Sequence, residues 1–270
     1  MSQETLPFLK WAGGKRWASE KLANHLPSDI NRYFEPFLGG GALFFSLRPD
    51  NALLTDLNAA LIQSYSAIKS DWRSVERHLR WFHQKHCRAF YYEQRARRYR
   101  DISKEAARFI YLNRSCWNGL YRENLAGTFN VPIGTKQNII LPTDNFEAVA
   151  SALSTAELRC SDFEAAIDAA GDGDVVYADP PYTTAHNFNG FVKYNQKIFC
   201  WADQVRLKNA CQRALLRGAH VLISNADHES VRALYSDFTR TLTLTRASVI
   251  ASQSQRRGRV DELLIVGNPS

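Results

Sequence analysis

Apolar residues in this chain gather into short, nearly unbroken runs, separated by longer stretches in which they recur every three or four positions. Runs at Tyr33–Phe37, Ala52–Thr55, Leu158–Cys160, Val175–Ala178 and Val221–Ser224 predict buried strands. Helical spacing predicts helices over Gly41–Leu47, Leu57–Lys69 and Ala202–Leu216, the last with Val205, Ala210 and Leu215 close to one face. Strands alternating with helices predict an α/β fold with a doubly wound, mostly parallel sheet whose ligands sit at the C-terminal ends of its strands. Near the end of the chain, Thr241–Ala251 alternates polar and apolar residues and Glu262–Val266 follows it, a pattern that predicts an antiparallel addition to the sheet.

The rhythm breaks over residues 57–144, where the chain becomes helical and basic and then turn-rich through Asn118-Gly119, Ala126-Gly127, Pro132 and Gly134. This stretch reads as an inserted, mainly helical domain between the two parts of an α/β domain, 1–56 and 145–270. Its last part, Leu120 to Ile133, predicts a hairpin around Leu125-Ala126-Gly127. The chain has no internal repeat.

Composition adds charge to this picture. The 270 residues hold 34 Lys+Arg against 27 Asp+Glu, a formal net charge of +7. Between Arg73 and Arg122 there are 13 cations and 4 carboxylates, an excess of nine, so the remainder is near −2. That excess is interleaved with Trp81, Phe82, Phe90, Tyr91, Tyr92, Tyr99 and Trp117, as on a surface where cations meet phosphates and rings stack on bases. The same composition also suits a solvated helical face. A second basic cluster, Arg256-Arg257-Gly258-Arg259, lies in a Ser/Gln-rich stretch and reads as a loop on phosphate. At 45% hydrophobic and 23% charged residues, a disordered chain is excluded. No apolar stretch approaches the ~18–20 residues of a membrane span, and polar residues break up the start of the chain. A cytoplasmic protein without a membrane partner is expected. Five cysteines without a C-x-x-C pair predict no disulfide framework. The cluster His83-Gln84-Lys85-His86-Cys87 lacks a second ligand group at metal-binding spacing, so no metal is expected.

The sharpest chemical signal is Asp179-Pro180-Pro181-Tyr182, directly after the strand ending at Ala178. Two prolines stiffen the corner and supply no N–H, which leaves nearby carbonyls free to face a ligand. A carboxylate, a prolyl carbonyl and an aromatic face in fixed relation suit the exocyclic amino group of a planar base: Asp179 and Pro180 accept its two N–H bonds while Tyr182 stacks on the ring. The bland alternative is a proline turn that ends a strand. The second signal is Glu35-Pro36-Phe37-Leu38-Gly39-Gly40-Gly41-Ala42, a glycine-rich loop between strand and helix where backbone amides can approach a ligand. It does not meet the dinucleotide pattern G-x-G-x-x-G. Asp56 follows at the next strand end, where an acid typically holds ribose hydroxyls, so the loop fits a nucleoside cofactor without pyrophosphate. Near the N-terminus, Lys10 and Lys15 flank Trp11 and a Gly13-Gly14 pair, which by itself is no more than a turn beside a tryptophan.

The set FLKWAGGK, FEPFLGGGA, DLN, YLNR…NGLYREN…GTFNVP, ADPPY, VLISN and RVDELL, in this order from Phe8 to about Gly267, resembles the bacterial and phage DNA adenine methyltransferases of the Dam type. Residues from about Trp72 to Ala107 have no residue-by-residue match. The resemblance implies the S-adenosylmethionine-dependent methyltransferase fold and a direct methyl transfer from S-adenosyl-L-methionine to the N6 amino group of an adenine flipped out of duplex DNA, leaving S-adenosyl-L-homocysteine. It places Trp11, Lys15, Asp56 and Asp179 on the cofactor, with Glu35, Phe37 and the Gly39-Gly40-Gly41 loop beside its methionine part, Asp56 on the ribose, and Asp162 and Phe163 at its adenine. Asp179, Pro180 and Tyr182 would hold the target base. The insertion would be the target-recognition domain: Trp117 intercalates, Arg122 reads a guanine, Leu120 or Pro132 touches a thymine methyl, and Lys10 lies near the first base. Arg114, Asn118 and Asn124 share that DNA-binding motif, and Arg256 and Arg257 join them from the basic loop. GATC is the implied target, in an orphan or a restriction-modification setting, for an enzyme acting as a monomer. The chain departs from the family pattern with Trp rather than Tyr at 117 and Ser115-Cys116 before it, which puts the target sequence in doubt. Two other readings stay open. One keeps the chemistry on another DNA motif, RNA or a protein amide; the other is a DNA-binding regulator without catalysis.

Overall fold

The computed structural model describes residues 5–119, 121–122, 128–184, 199–247 and 259–269. The chain divides into two compact units: Met1–Arg16, Gly39–Arg48 and Asp56–Cys160 form the first, and Trp17–Leu38, Pro49–Thr55 and Ser161–Ser270 the second. The stretch 57–144, expected as an insertion, lies wholly within the first.

The second unit is built on a mostly parallel sheet. Its strands are β1 (Tyr33–Glu35), β2 (Ala52–Asp56), β4 (Val175–Ala178), β5 (His220–Ala226), β6 (Arg240–Ala247) and β7 (Arg259–Gly267). They run in the order β2-β1-β4-β5-β7-β6. The first four are parallel, while β7 is antiparallel to both β5 and β6, which is the antiparallel addition expected from the sequence. Register aligns Leu53, Phe34, Val176 and Val221 in one row, and Ala178, Ile223 and Ile265 in the next. All seven are buried in a cluster with helices α7 (Phe163–Asp168), α8 (Trp201–Leu216) and α9 (Glu229–Leu234). Burying each larger side chain of this kind stabilises the fold by about 1.5–3 kcal/mol before entropy is charged against it. Strand order turns between β1, which is followed in sequence by its neighbour β2, and β4 on its other side. Ligands of open α/β sheets bind at such a switch point, beyond the strands' C-terminal ends.

The first unit is mainly helical: α2 (Ala42–Leu47), α3 (Ala59–Gln84), α4 (Arg88–Ala96), α5 (Ile102–Ser115), α6 (Phe146–Leu153) and the strand β3 (Ala156–Cys160). Asn58 caps α3 by accepting the Leu61 N–H at 3.0 Å. The expected helix ended at Lys69, yet α3 continues to Gln84 across a break at Asp71 (φ −153°, ψ 73°). Asp71 accepts the Ser74 N–H at 3.0 Å, so the break restarts the helix with a cap of its own. Helix α5 packs along α3, with Phe82 stacked on Tyr111 at 5.3 Å. In the His83–Cys87 stretch, His86 Nδ1 lies 2.8 Å from the Tyr111 hydroxyl and Cys87 Sγ accepts the Phe90 N–H. Both side chains serve helix packing and capping.

Arg114 corrects a sequence expectation. It was expected on DNA, but it is 1% exposed and all five guanidinium donors are used inside the unit. They reach Asp144 twice at 2.6 Å, Phe8 O at 2.7 and 3.1 Å, and Ile139 O at 2.8 Å. The fork geometry that suits a phosphate is spent on tying α5 to the N-terminal segment and to residues 139–144. Among the expected DNA residues, Leu120, Asn124, Arg256 and Arg257 lie outside the described residues, as does the turn of the predicted hairpin. An antiparallel bridge joins Ile133 to Cys116, which precedes the expected hairpin, and within it the Asn130 N–H donates to Arg122 O at 3.3 Å. Removing Arg114 strands Asp144 and three backbone carbonyl contacts. Arg114→Ala is therefore expected to lower the unfolding free energy by about 3–5 kcal/mol in denaturant titration, and a loss below about 1 kcal/mol would contradict the structural role.

Candidate active site

Within the first unit, a loop and a carboxylate are locked together. Gly39 and Gly41 adopt positive φ (47° and 63°), which lets the chain turn sharply from the glycine run into α2. A Cβ at Gly39 would stand 2.7 Å from Cδ1 of Trp11, so the indole lies directly against the bare backbone. Asp56 Oδ2 accepts the Gly39 N–H at 3.1 Å and Oδ1 accepts the Asn58 N–H at 2.9 Å. Tyr65 donates to Gly39 O at 3.0 Å, a support the sequence did not single out. Lone pairs that these amides leave on the carboxylate are acceptors suited to a hydroxyl ligand. Burial raises the Asp56 pKa, and the amides of Asn58, Gly39 and Leu57 oppose that rise. Lys15 is buried, with its ammonium donating to Gly13 O at 2.7 Å. Trp11 stacks on Tyr121 at 5.7 Å.

The same unit holds the expected base-reading residues. Trp117 is 52% exposed, and Asn118, Arg122 and Pro132 are exposed beside it in sequence or across the bridge. The Trp117 N–H donates to Pro132 O at 2.9 Å and Gly134 N–H to Ser115 O at 2.8 Å, which fixes one backbone against the other. A Cβ at Gly134 would come within 2.6 Å of Cys116 O, so that close pairing needs glycine. Asn118 sits at φ 55°, in the left-handed region that asparagine tolerates. Arg122 Nε donates to Asn130 Oδ1 at 3.2 Å. Lys10 is clamped through its backbone: its N–H donates to Asn113 Oδ1 at 2.9 Å and its carbonyl accepts Asn113 Nδ2 at 2.7 Å. Partial burial, together with the neighbouring Lys136 ammonium, pulls its pKa down to about 8.

In the second unit, Asp179 follows β4 at the switch point, and Pro180 and Tyr182 complete the corner. The Tyr182 hydroxyl donates to Glu262 Oε2 at 2.9 Å. Burial, Asp179 and Glu262 push the phenol pKa well above its ordinary value, so the ring stays neutral. Glu35 is buried at the end of β1 and accepts the Tyr33 hydroxyl at 2.9 Å. Phe37 stacks on Phe163 at 5.2 Å, which makes Phe163 part of the buried cluster. Asp162 caps α7 and forms a bidentate pair with Arg206 at 2.5 and 2.6 Å, and the guanidinium lies 4.4 Å over Phe163. Glu262, Tyr65, Asn113 and Arg206 were not assigned roles from sequence. An acid standing at the head of an aliphatic run was the one available signal, at Glu262.

Comparisons with known proteins show the family of the chain. Residues 11–249 match the family described as D12 class N6 adenine-specific DNA methyltransferase. The chain is 34% identical to the type II methyltransferase M1.LlaDCHI of Lactococcus lactis subsp. cremoris, over 96% of this chain and 94% of that protein. It is 33% identical to the DNA adenine methylase of Escherichia coli K12, over 97% and 95%. It is also 39% identical to the DNA N-6-adenine-methyltransferase of Escherichia phage P1, over 85% of this chain and 31% of that longer protein.

The raised pKa of Asp56 has a consequence for stability. Its folded carboxyl holds a proton to higher pH than the unfolded one, so its contribution favours folding at low pH and is lost as pH rises through the folded pKa. Asp56→Asn removes this dependence. Thermal midpoints measured across the acidic range should therefore shift in the variant's favour, relative to the parent, as pH increases. A constant offset would contradict the assignment.

Proposed function

We propose, from the premise that this chain belongs to the D12 class N6 adenine-specific DNA methyltransferases, that it methylates the adenine of GATC in duplex DNA with S-adenosyl-L-methionine as donor. The observation that carries the reading is the Asp179-Pro180-Pro181-Tyr182 corner at the C-terminal end of β4, with its tyrosine ring held by a hydrogen bond at the far end.

The amino group of adenine is a poor nucleophile because its lone pair is delocalised into the ring. Asp179 and the Pro180 carbonyl each accept a hydrogen bond from one of its N–H groups, which raises the electron density on the nitrogen and favours a pyramidal geometry over full conjugation with the ring. The nitrogen lone pair is then released toward the incoming methyl carbon. Tyr182, kept neutral, offers a flat face for the base. These contacts are unreachable within a stacked duplex, so the target base is flipped out. S-adenosyl-L-methionine supplies an electrophilic methyl group when bound. The chain's residues fit it: Asp56 offers free lone pairs to the ribose hydroxyls, and the Gly39–Gly41 backbone approaches without side chains. Lys15 and Trp11 border that loop, and Glu35 and Phe37 lead into it. Asp162 reaches the cofactor's adenine edge only with the oxygen lone pairs that Arg206 leaves free.

For the target sequence, Arg122 presents a fork that matches N7 and O6 of guanine, Trp117 is exposed for intercalation, and Pro132 lies beside it for a thymine methyl. The family resemblance and the DNA adenine methylase names of relatives support GATC; the exposed, bridged surface supports duplex DNA over RNA or a protein amide.

Two measurements test this reading. Transfer from labelled S-adenosyl-L-methionine to unmethylated duplex DNA, followed by mapping of modified adenines, should place methyl groups within GATC. Asp179→Ala should then cut the single-turnover rate by at least about 100-fold while DNA affinity is kept, and surviving turnover would remove the acceptor role. Arg122→Ala should cost about 1–3 kcal/mol of discrimination at a single base position, whereas an unaltered sequence profile would argue against direct readout.

A further inference from the structure

The last strand of the sheet carries a carboxylate where the fold alone calls for none. In β7, Leu263, Leu264, Ile265 and Val266 are all buried and aliphatic. Glu262 precedes them at 3% exposure, opposite Ala226 of β5 and Leu244 of β6. A charge placed there is costly unless strong hydrogen bonds compensate it, and an aliphatic residue would extend the core. Its Oε2 accepts the Tyr182 hydroxyl at 2.9 Å. We propose that Glu262 is a positioning residue that fixes the plane of the Tyr182 ring, and through it the acceptor base.

The prolines before Tyr182 fix the backbone but leave rotation about its side-chain bonds. A contact at the hydroxyl acts at the end of the ring farthest from the backbone, where a small lateral force sets the whole plane. The phenol remains a donor because burial, Asp179 and Glu262 all oppose its ionisation, and a hydrogen bond to a carboxylate is stronger than one between neutral groups. Sheet register holds the acceptor in place: Glu262 is paired on both sides, so the anchor does not share in loop motion.

This inference rests on the reading above that Tyr182 stacks on the target adenine. It is tested by a double-mutant cycle in the full chain, with Glu262→Leu, Glu262→Gln, Tyr182→Phe and the two combined pairs. Single-turnover methyl transfer, DNA affinity and the fluorescence of 2-aminopurine at the target position are measured for each. Glu262→Leu should lower the single-turnover rate by about 10- to 100-fold, as misplacement of a reacting group does. Affinities for DNA and for S-adenosyl-L-methionine should stay within about twofold, and Glu262→Gln, which retains an acceptor, should recover most of the rate. In the Tyr182→Phe background neither change at Glu262 should add to the loss. Losses that multiply, or a parental rate in Glu262→Leu, would overturn the proposal. If Glu262→Leu fails to fold, Glu262→Met, which keeps the side chain's length without its acceptor oxygens, takes its place in the same cycle, and a parental rate there overturns the proposal. An unmutated protein that moves no methyl group to adenine would instead sink the functional reading. In that event the ring remains measurable: the fluorine resonance of 3-fluorotyrosine at 182, identified by its absence in Tyr182→Phe, must move in Glu262→Leu, and an unmoved signal rejects the anchoring role.

Discussion

The carboxylate of Asp56 ends a buried strand and accepts two backbone amides from opposite directions, one from the glycine loop and one from the start of α3. Loop and helix therefore share one anchor. Helix α3 is the element against which α5, α6 and β3 pack, so the frame of the first unit is referred to the same point as the glycine loop. The cost is a negative charge held away from water, and the raised pKa is its visible trace. Evolution of an alternative neutral residue there would ease folding while removing the two acceptors that set the loop.

Much of this was legible in the sequence because local and tertiary demands agree. Val175–Ala178 matched its strand to the residue, since an acid before it and prolines after it leave no other bounds. The antiparallel pair at the end of the sheet was visible as alternation, though β7 begins three residues earlier than its apolar run. Helix α3 was read short because nothing around Asp71 announces that a second helical stretch resumes directly. Arg114 was misread for a different reason. In a basic segment an arginine looks like surface charge, and only Asp144, 30 residues later, together with two carbonyls, reveals it as a buried tie. Pairings of that range have no local pattern. The same holds for the pairing of Arg206 with Asp162, 44 residues earlier.

The positive segment also looks different once its partners are known. Arg80 pairs with Glu76, Arg97 with Glu93, Arg108 with Glu105, and Arg73 with Glu147. Arg108 is buried, whereas the other three pairs are largely exposed and contribute little to stability. They do limit how many cations are free to replace counterions on a phosphate backbone without first releasing a carboxylate. Net charge counted along a sequence thus overstates the number of contacts available to a polyanion.

Tyr182 and Lys10 meet alkaline solution differently. The phenol, flanked by two carboxylates, resists ionisation far beyond the range in which a free tyrosine would surrender its proton. The lysine, crowded by a second ammonium, gives up its charge near pH 8. A rise in pH therefore discharges Lys10 before it reaches the Tyr182 hydroxyl. Between those two points the chain carries one positive charge fewer, while the Tyr182–Glu262 hydrogen bond keeps its donor.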